Sequence, residues 1–105
     1  MPVPDESGPR WEVVCSHANM EMLRQLWRRA SRSGRGEAVT AAFRQILQSL
    51  QRDPTEVGEP SYRLSAMRMQ VRRIVVRPLV IDFAVSEDHP LVVIKGAFLL
   101  AKHGS

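Results

Sequence analysis

Apolar residues recur along the last third of the chain with the spacing of β-strands. Residues 79–85 are apolar at every odd position, and residues 91–100 are apolar almost throughout. The second run contains three consecutive β-branched residues, which favour an extended backbone. The polar segment 86–90 between the runs has the length of a hairpin connection. The pattern predicts that residues 67–102 form three strands, around which the rest of the chain is organised.

Two upstream stretches have the spacing of amphipathic helices instead. The first helix is predicted over residues 18–31 and is followed by a turn at residues 33–36. The second has a broader apolar stripe, formed by Val39, Ala42, Phe43, Ile46, Leu47 and Leu50. Asp53 and Pro54 close it, because proline disfavours helical geometry in the residue before it. Two helices with one apolar face each predict a helical hairpin that packs on a sheet.

Two further segments have strand patterns. Residues 11–15 predict a short first strand, with alternate side chains on one side. In residues 62–76 the alternation of apolar positions slips in phase, which predicts one strand with a bulge or a strong bend. The predicted order is β-α-α-β-β-β, an α+β fold with a helical hairpin on one face of a mostly antiparallel sheet. We expect one domain over residues 10–102, after a flexible lead-in at residues 1–9 and before a tail at residues 103–105.

The chain is basic. Its 105 residues carry a formal net charge of +4, and its isoelectric point is near 10.2. Only Lys95 and Lys102 of the fifteen basic residues are lysines. A genome rich in G and C would also favour arginine over lysine, but it does not explain the net charge. A basic domain of this size is typical of proteins that bind nucleic acid or an acidic protein.

Several classes of protein are not indicated by the sequence. A single cysteine provides no disulfide framework, and Cys15 is expected to be a small core residue. No apolar run approaches the roughly 20 residues that span a bilayer, and residues 1–9 lack the features of a secretory signal. Neither His17 nor His89 has the spacing of a zinc site. We therefore expect a cytoplasmic protein without metal, cofactor or membrane contact.

The order of elements resembles that of the RelE/ParE superfamily of type II toxin–antitoxin toxins. The matching residues are the Leu-x-x-Asp-Pro stop at residues 50–54, the segment 58–64 after it, and the hairpin at residues 78–100. The resemblance extends over residues 10–102. It implies a cytoplasmic toxin that a cognate antitoxin neutralises, with ribosome-bound mRNA or a topoisomerase as its target.

The resemblance also implies where a site would lie. Ribonuclease members cut RNA without a metal, using basic and aromatic side chains on the sheet and the C-terminal segment. Here Phe83 supplies the aromatic, while Val80 and Ile81 stand where many members have an arginine. The chain also lacks the tyrosine that often follows the last strand. The gyrase-poisoning branch of the superfamily has no such catalytic set, so both branches remain open.

Arginines are concentrated between residues 61 and 81, where no acidic residue occurs. For a ribonuclease we predict Arg72, Arg73 and His103 as catalytic residues, because the 2′-oxygen must lose a proton and cations must stabilise charge on the phosphate. The predicted contacts to nucleic acid or to a partner are Arg63, Arg68, Arg77, Lys95 and Lys102. Alternation places Arg68, Gln70 and Arg72 on one strand face, which we expect opposite the helices. The alternative is a solvated face that prevents edge aggregation.

The first helix carries a second set of candidates. Arg24, Arg28 and Arg32 form a stripe that is typical of a polar outer face. Met20, Met22 and Trp27 are expected to pack between helix and sheet, and the alternative is a partly exposed groove for an antitoxin segment. A different class of function is a non-catalytic basic module that holds nucleic acid or an acidic protein.

Overall fold

The computed structural model describes residues 10–101, which form two helices and five strands. The predicted lead-in, the predicted tail, Lys102 and His103 lie outside the described residues. The α+β class and the helical hairpin on one side of the sheet are confirmed. The elements are β1 Glu12–Cys15, α1 His17–Arg32, α2 Gly36–Arg52, β2 Glu59–Leu64, β3 Met69–Val76, β4 Leu79–Ser86 and β5 Leu91–Leu99.

The strands form one sheet in the order β1-β5-β4-β3-β2. β1 runs parallel to β5, and every other neighbouring pair is antiparallel. β4 therefore lies at the centre, and six of its eight residues are buried. A bulge interrupts the pairing of β5 with β4 at Lys95, because Phe83 pairs with Ile94 and Asp82 with Gly96.

The prediction of one bent strand over residues 62–76 is wrong. The chain reverses there, through a 3₁₀ turn at Ser65–Met67 and a left-handed Arg68 with φ of 53°. β2 and β3 pair antiparallel on either side of this turn, with Leu64 opposite Met69. A reversal and a bulge both shift the phase of an apolar alternation. The turn contains neither glycine nor proline, so the usual sequence signal for a reversal is missing.

The core lies between the helices and one face of the sheet. Its central members are fully buried and come from α2 and β4: Ile46, Leu50, Leu79, Ile81 and Phe83. On β4 the buried members at this face are the odd-numbered residues, as the alternation predicts. Burying side chains of this size stabilises the fold by about 1.5–3 kcal/mol each.

The start of α1 is attached to both its own first turn and the sheet. Ser16 is the N-cap, and its hydroxyl accepts a hydrogen bond of 3.1 Å from the backbone N–H of Asn19. The side-chain amide of Asn19 donates to the carbonyl of Ile94 on β5 at 3.0 Å. These contacts position α1 over the β5 side of the sheet.

Candidate binding surfaces

No helix among the described residues covers the other face of the sheet, which we call the open face. An apolar row crosses all five strands on this face, as the strand pairing shows: Tyr62, Val71, Ala84, Val93 and Val14. The middle of the row is buried by its neighbours, whereas the Tyr62 side chain at its end is 55% exposed. The open face is therefore partly apolar, unlike the solvated face expected as an alternative.

An ion pair lies beside this row. Arg73 donates from Nε and Nη2 to the two carboxylate oxygens of Asp82, at 2.7 and 3.0 Å. Its guanidinium also lies 5.0 Å from the centre of the Phe98 ring, within the range of a cation–π contact. The hydrogen bonds to Asp82 and its charge raise the pKa of Arg73. The charge of Arg73 is thus neutralised by a carboxylate of the same chain.

Arg72 faces the opposite way. It pairs with Phe83, whose ring lies in the core beneath the helices. Its Nε donates to the carbonyl of Val57 at 2.9 Å, and its Nη2 donates to that of Gly58 at 3.2 Å. Arg72 therefore holds the loop between α2 and β2.

The expected cationic face of Arg68, Gln70 and Arg72 does not form opposite the helices. Gln70 and Arg72 share a face, but it is the helix side of the sheet, since they pair with Val85 and Phe83 of the core. Arg68 belongs to the turn before β3 and not to a strand. Met69 and Val71, the apolar positions of this alternation, are buried on the open face in a second cluster with Ala84, so the polar positions between them face the helices.

Two ion pairs connect the end of β2 and the β2–β3 turn with the β4–β5 connection. Arg63 donates to both carboxylate oxygens of Glu87, at 2.5 and 2.7 Å. Arg68 donates from Nε to Asp88 at 2.9 and 3.2 Å. The hydrogen bond to Glu87 raises the pKa of Arg63, and the hydrogen bond from Arg63 lowers the pKa of Glu87. These arginines, too, are engaged within the chain.

The remaining predicted site residues are scattered. Arg77 is exposed in the β3–β4 turn, and Lys95 is exposed at the bulge in β5. Arg72 and Arg73 point to opposite faces, so the structure does not bring them together. His103 and Lys102 lie outside the described residues. The catalytic and binding roles of these residues remain predictions.

The positions that carry the family resemblance on β4 are not accessible. Phe83 and Ile81 lie in the core, and Val80 is buried on the open face. An aromatic ring beneath two helices cannot stack on an RNA base. This part of β4 therefore acts as core and does not present side chains to a substrate.

A second surface lies between the two helices. It is a cavity of about 400 Å³ with almost entirely apolar walls, which we call the helix groove. Its lining comprises Met20, Leu23, Leu26, Trp27, Val39, Phe43 and Leu79, with Arg24, Arg28 and Thr40 beside them. The expectation that Met20, Met22 and Trp27 pack between helix and sheet is wrong, since they are 40%, 37% and 46% exposed. The alternative of a partly exposed groove is the one that the structure contains.

The other titratable candidates occupy structural positions. Cys15 is half-buried against the core, and this burial raises the pKa of its thiol. His17 begins α1 and His89 lies in the β4–β5 connection. Across residues 10–101, no three His, Cys, Asp or Glu side chains lie together as a group that could hold a metal ion. None of the helices in that range is long and apolar enough to span a bilayer.

Replacing Arg72 with alanine is expected to lower the free energy of unfolding by about 1.5–3 kcal/mol, because two loop carbonyls lose a charged donor. Urea denaturation followed by circular dichroism measures the loss. Arg77→Ala is the matched control, since Arg77 has no ion pair with any described carboxylate. Its expected change is below about 0.5 kcal/mol. Equal losses in the two variants would show that the contacts of Arg72 contribute nothing.

No family model, no curated protein and no solved structure matches the chain.

Proposed function

We propose that the chain is a toxin-like component of a type II toxin–antitoxin pair, with a RelE/ParE-like fold, that inhibits growth by binding its target and not by cutting mRNA. The helical hairpin on one side of a mostly antiparallel sheet supports the fold assignment. The proposal includes a cytoplasmic location, a cognate antitoxin as partner and a topoisomerase as the class of target. It requires neither a metal nor a cofactor.

The engagement of the arginines is the observation that favours binding over cleavage. Arg63, Arg68 and Arg73 each pair with a carboxylate of the chain, and Arg72 donates to backbone carbonyls. RNA cleavage requires cations that are free to meet the phosphate and a base beside the 2′-oxygen. A phosphate entering the open face would have to displace Asp82 from Arg73. Within residues 10–101, the sheet has no group of neighbouring basic side chains that are free of carboxylate or backbone partners.

The exposed arginines of α1 favour a second candidate function. α1 carries Arg24, Arg28, Arg29 and Arg32 but only one carboxylate, Glu21. A cationic helix of this kind suits a non-catalytic module that holds nucleic acid or an acidic protein. For such a module, affinity for single-stranded RNA should fall steeply with salt, and expression should not stop growth.

Inducible expression with and without the product of a small neighbouring open reading frame tests the first candidate. We expect growth arrest with intact transcripts, and relief of the arrest by the neighbouring product. Cell density and transcript integrity are the two measurements. Absence of arrest at every level of expression would favour the non-catalytic module.

Transcript cleavage would contradict the proposal that the chain acts by binding alone. A variant would then show whether the chain itself cuts the RNA. Arg73→Ala is the appropriate substitution because Arg73 is exposed on the open face. Arg72→Ala is unsuitable because its loss also loosens the loop between α2 and β2. Cleavage that disappears in Arg73→Ala would establish a ribonuclease.

A further inference from the structure

A hydrogen bond between the two helices positions one wall of the helix groove. The indole N–H of Trp27 donates to the hydroxyl of Thr40 at 3.0 Å, across the two helices. That hydroxyl donates in turn to the carbonyl of Gly36 at 3.0 Å. The Trp27 ring is therefore fixed as a wall of the groove, with Leu79 of β4 among the lining residues. A ligand would not have to order this side chain, which lowers the entropic cost of binding.

The chemistry of the lining selects a helical ligand. An extended segment gains affinity mainly by pairing its backbone with a sheet edge. The walls of the groove are side chains with almost no polar surface, so peptide groups that enter it must be paired within the ligand itself. A helix satisfies its own peptide groups. The α1 side of the groove extends from Met20 to Arg28, about 12 Å or two helical turns at 1.5 Å per residue.

The charges beside the groove select an acidic ligand. Arg24 and Arg28 belong to the lining, and Arg28 has no ion pair with any carboxylate in residues 10–101. Arg24 pairs with Glu21 at 2.7 Å, but its side chain remains 57% exposed. A carboxylate on the ligand would gain a charge-assisted contact with either arginine, whereas a lysine would be repelled.

We propose that the helix groove binds an acidic amphipathic helix of a partner protein. Apolar side chains at i, i+3 or i+4 and i+7 of that helix enter the groove, and carboxylates beside this stripe contact Arg24 and Arg28. The inference rests on the proposed function only in identifying the partner with the antitoxin. It concerns a surface distinct from the open face of the sheet.

Selection from a library of helices tests the chemistry without knowledge of the natural partner. A phage-displayed library contains helical peptides about 18 residues long, in which a few alanines that favour the helix are fixed and all other positions are randomised. Peptides that bind the immobilised full chain are selected from it. We expect enriched peptides to carry a leucine-rich stripe with flanking Asp or Glu. Failure to enrich any helix, or enrichment of basic or uncharged flanks, overturns the proposal.

Two pairs of matched variants locate the binding of the selected peptide. Arg28→Glu should weaken it at least tenfold, whereas Arg29→Glu makes the same charge change on α1 outside the lining. Met20→Glu should weaken it similarly, and Met22→Glu is its control, because Met22 is also exposed but does not line the groove. Fluorescence anisotropy of the labelled peptide measures all four affinities. Equal effects within either pair overturn the assignment to the groove.

The second tryptophan allows a direct spectroscopic test. The chain has two tryptophans, so Trp11→Phe leaves Trp27 as the only indole. Burial of the Trp27 ring by the peptide should shift its emission to shorter wavelength, and an unchanged spectrum at saturation contradicts docking. The other candidate occupant is a second copy of this chain, and analytical ultracentrifugation of the free protein tests it. A dimer that becomes monomeric in Met20→Glu would show that a second copy fills the groove and would contradict the proposal.

Growth assays separate this inference from the proposed function. If Arg28→Glu still arrests growth but the partner no longer relieves the arrest, both hold. Relief that is unaffected by Arg28→Glu overturns the groove and leaves the toxin assignment intact. Peptide binding without any arrest overturns the toxin assignment and leaves the groove intact.

Discussion

Gly58→Ala is expected to lower the free energy of unfolding by about 3 kcal/mol or more. Gly58 has a φ of +73°, where a side chain costs about 1–2 kcal/mol. An added Cβ would also lie 2.4 Å from the carbonyl oxygen of Arg73 and 3.3 Å from Cα of Ile74. Both neighbours are backbone atoms of β3, so relief of the contact requires movement of the loop or the strand. The same movement would disturb the carbonyls that Arg72 holds.

Gly34→Ala is the matched control for this prediction. Gly34 also has a positive φ, +79°, but an added Cβ there meets no atom within 4 Å. The free energy of unfolding of Gly34→Ala should therefore fall only by the cost of the positive φ, about 1–2 kcal/mol. Urea denaturation of both variants gives the comparison. If Gly58→Ala and Gly34→Ala lower the free energy of unfolding equally, the close approach of Gly58 to β3 does not constrain the fold.

Phe83→Ala is expected to lower the free energy of unfolding by about 3–5 kcal/mol. The Phe83 side chain is 0% exposed and contacts the core formed by α2 and the sheet. Removing it leaves a cavity at the centre of β4, where strands on both sides limit collapse. The variant should unfold at a lower denaturant concentration than the unaltered chain.

Phe98→Ala provides the control on the neighbouring strand. Phe98 lies on the open face and is 40% exposed, so we expect a loss of about 1 kcal/mol. Circular dichroism and denaturation distinguish the two variants. A Phe83→Ala protein with unchanged stability would contradict the assignment of Phe83 to the core.

The apolar periodicities predicted most of the elements because they report local geometry. α1 begins and ends within one residue of its predicted bounds, α2 contains the whole predicted apolar stripe, and the β4–β5 hairpin has its predicted connection. The reversal between β2 and β3 could not be predicted in this way, since its turn residues carry no glycine or proline.

The state of the arginines could not be predicted because their partners are distant in sequence. The stretch from residue 61 to 81 contains no acid, which suggested a free cationic strand. The acids that neutralise these arginines are Asp82, Glu87 and Asp88, which follow the stretch in sequence. Antiparallel pairing of β3 with β4 brings them beside the arginines. A charge run in one strand says little about net charge on a sheet until the neighbouring strand is known.

By itself, the sequence determined the fold class, the helical hairpin and the last β-hairpin, because the spacing of apolar residues reports which side of each element is buried. Only the tertiary structure decided which face each arginine takes and which acid it meets, since both depend on strand register and on a chain reversal. It also decided that Trp27 and Met20 line a groove between the helices instead of filling the core. Apolar residues on a helix indicate burial, but the crossing of two helices determines how much of that surface is left for a partner.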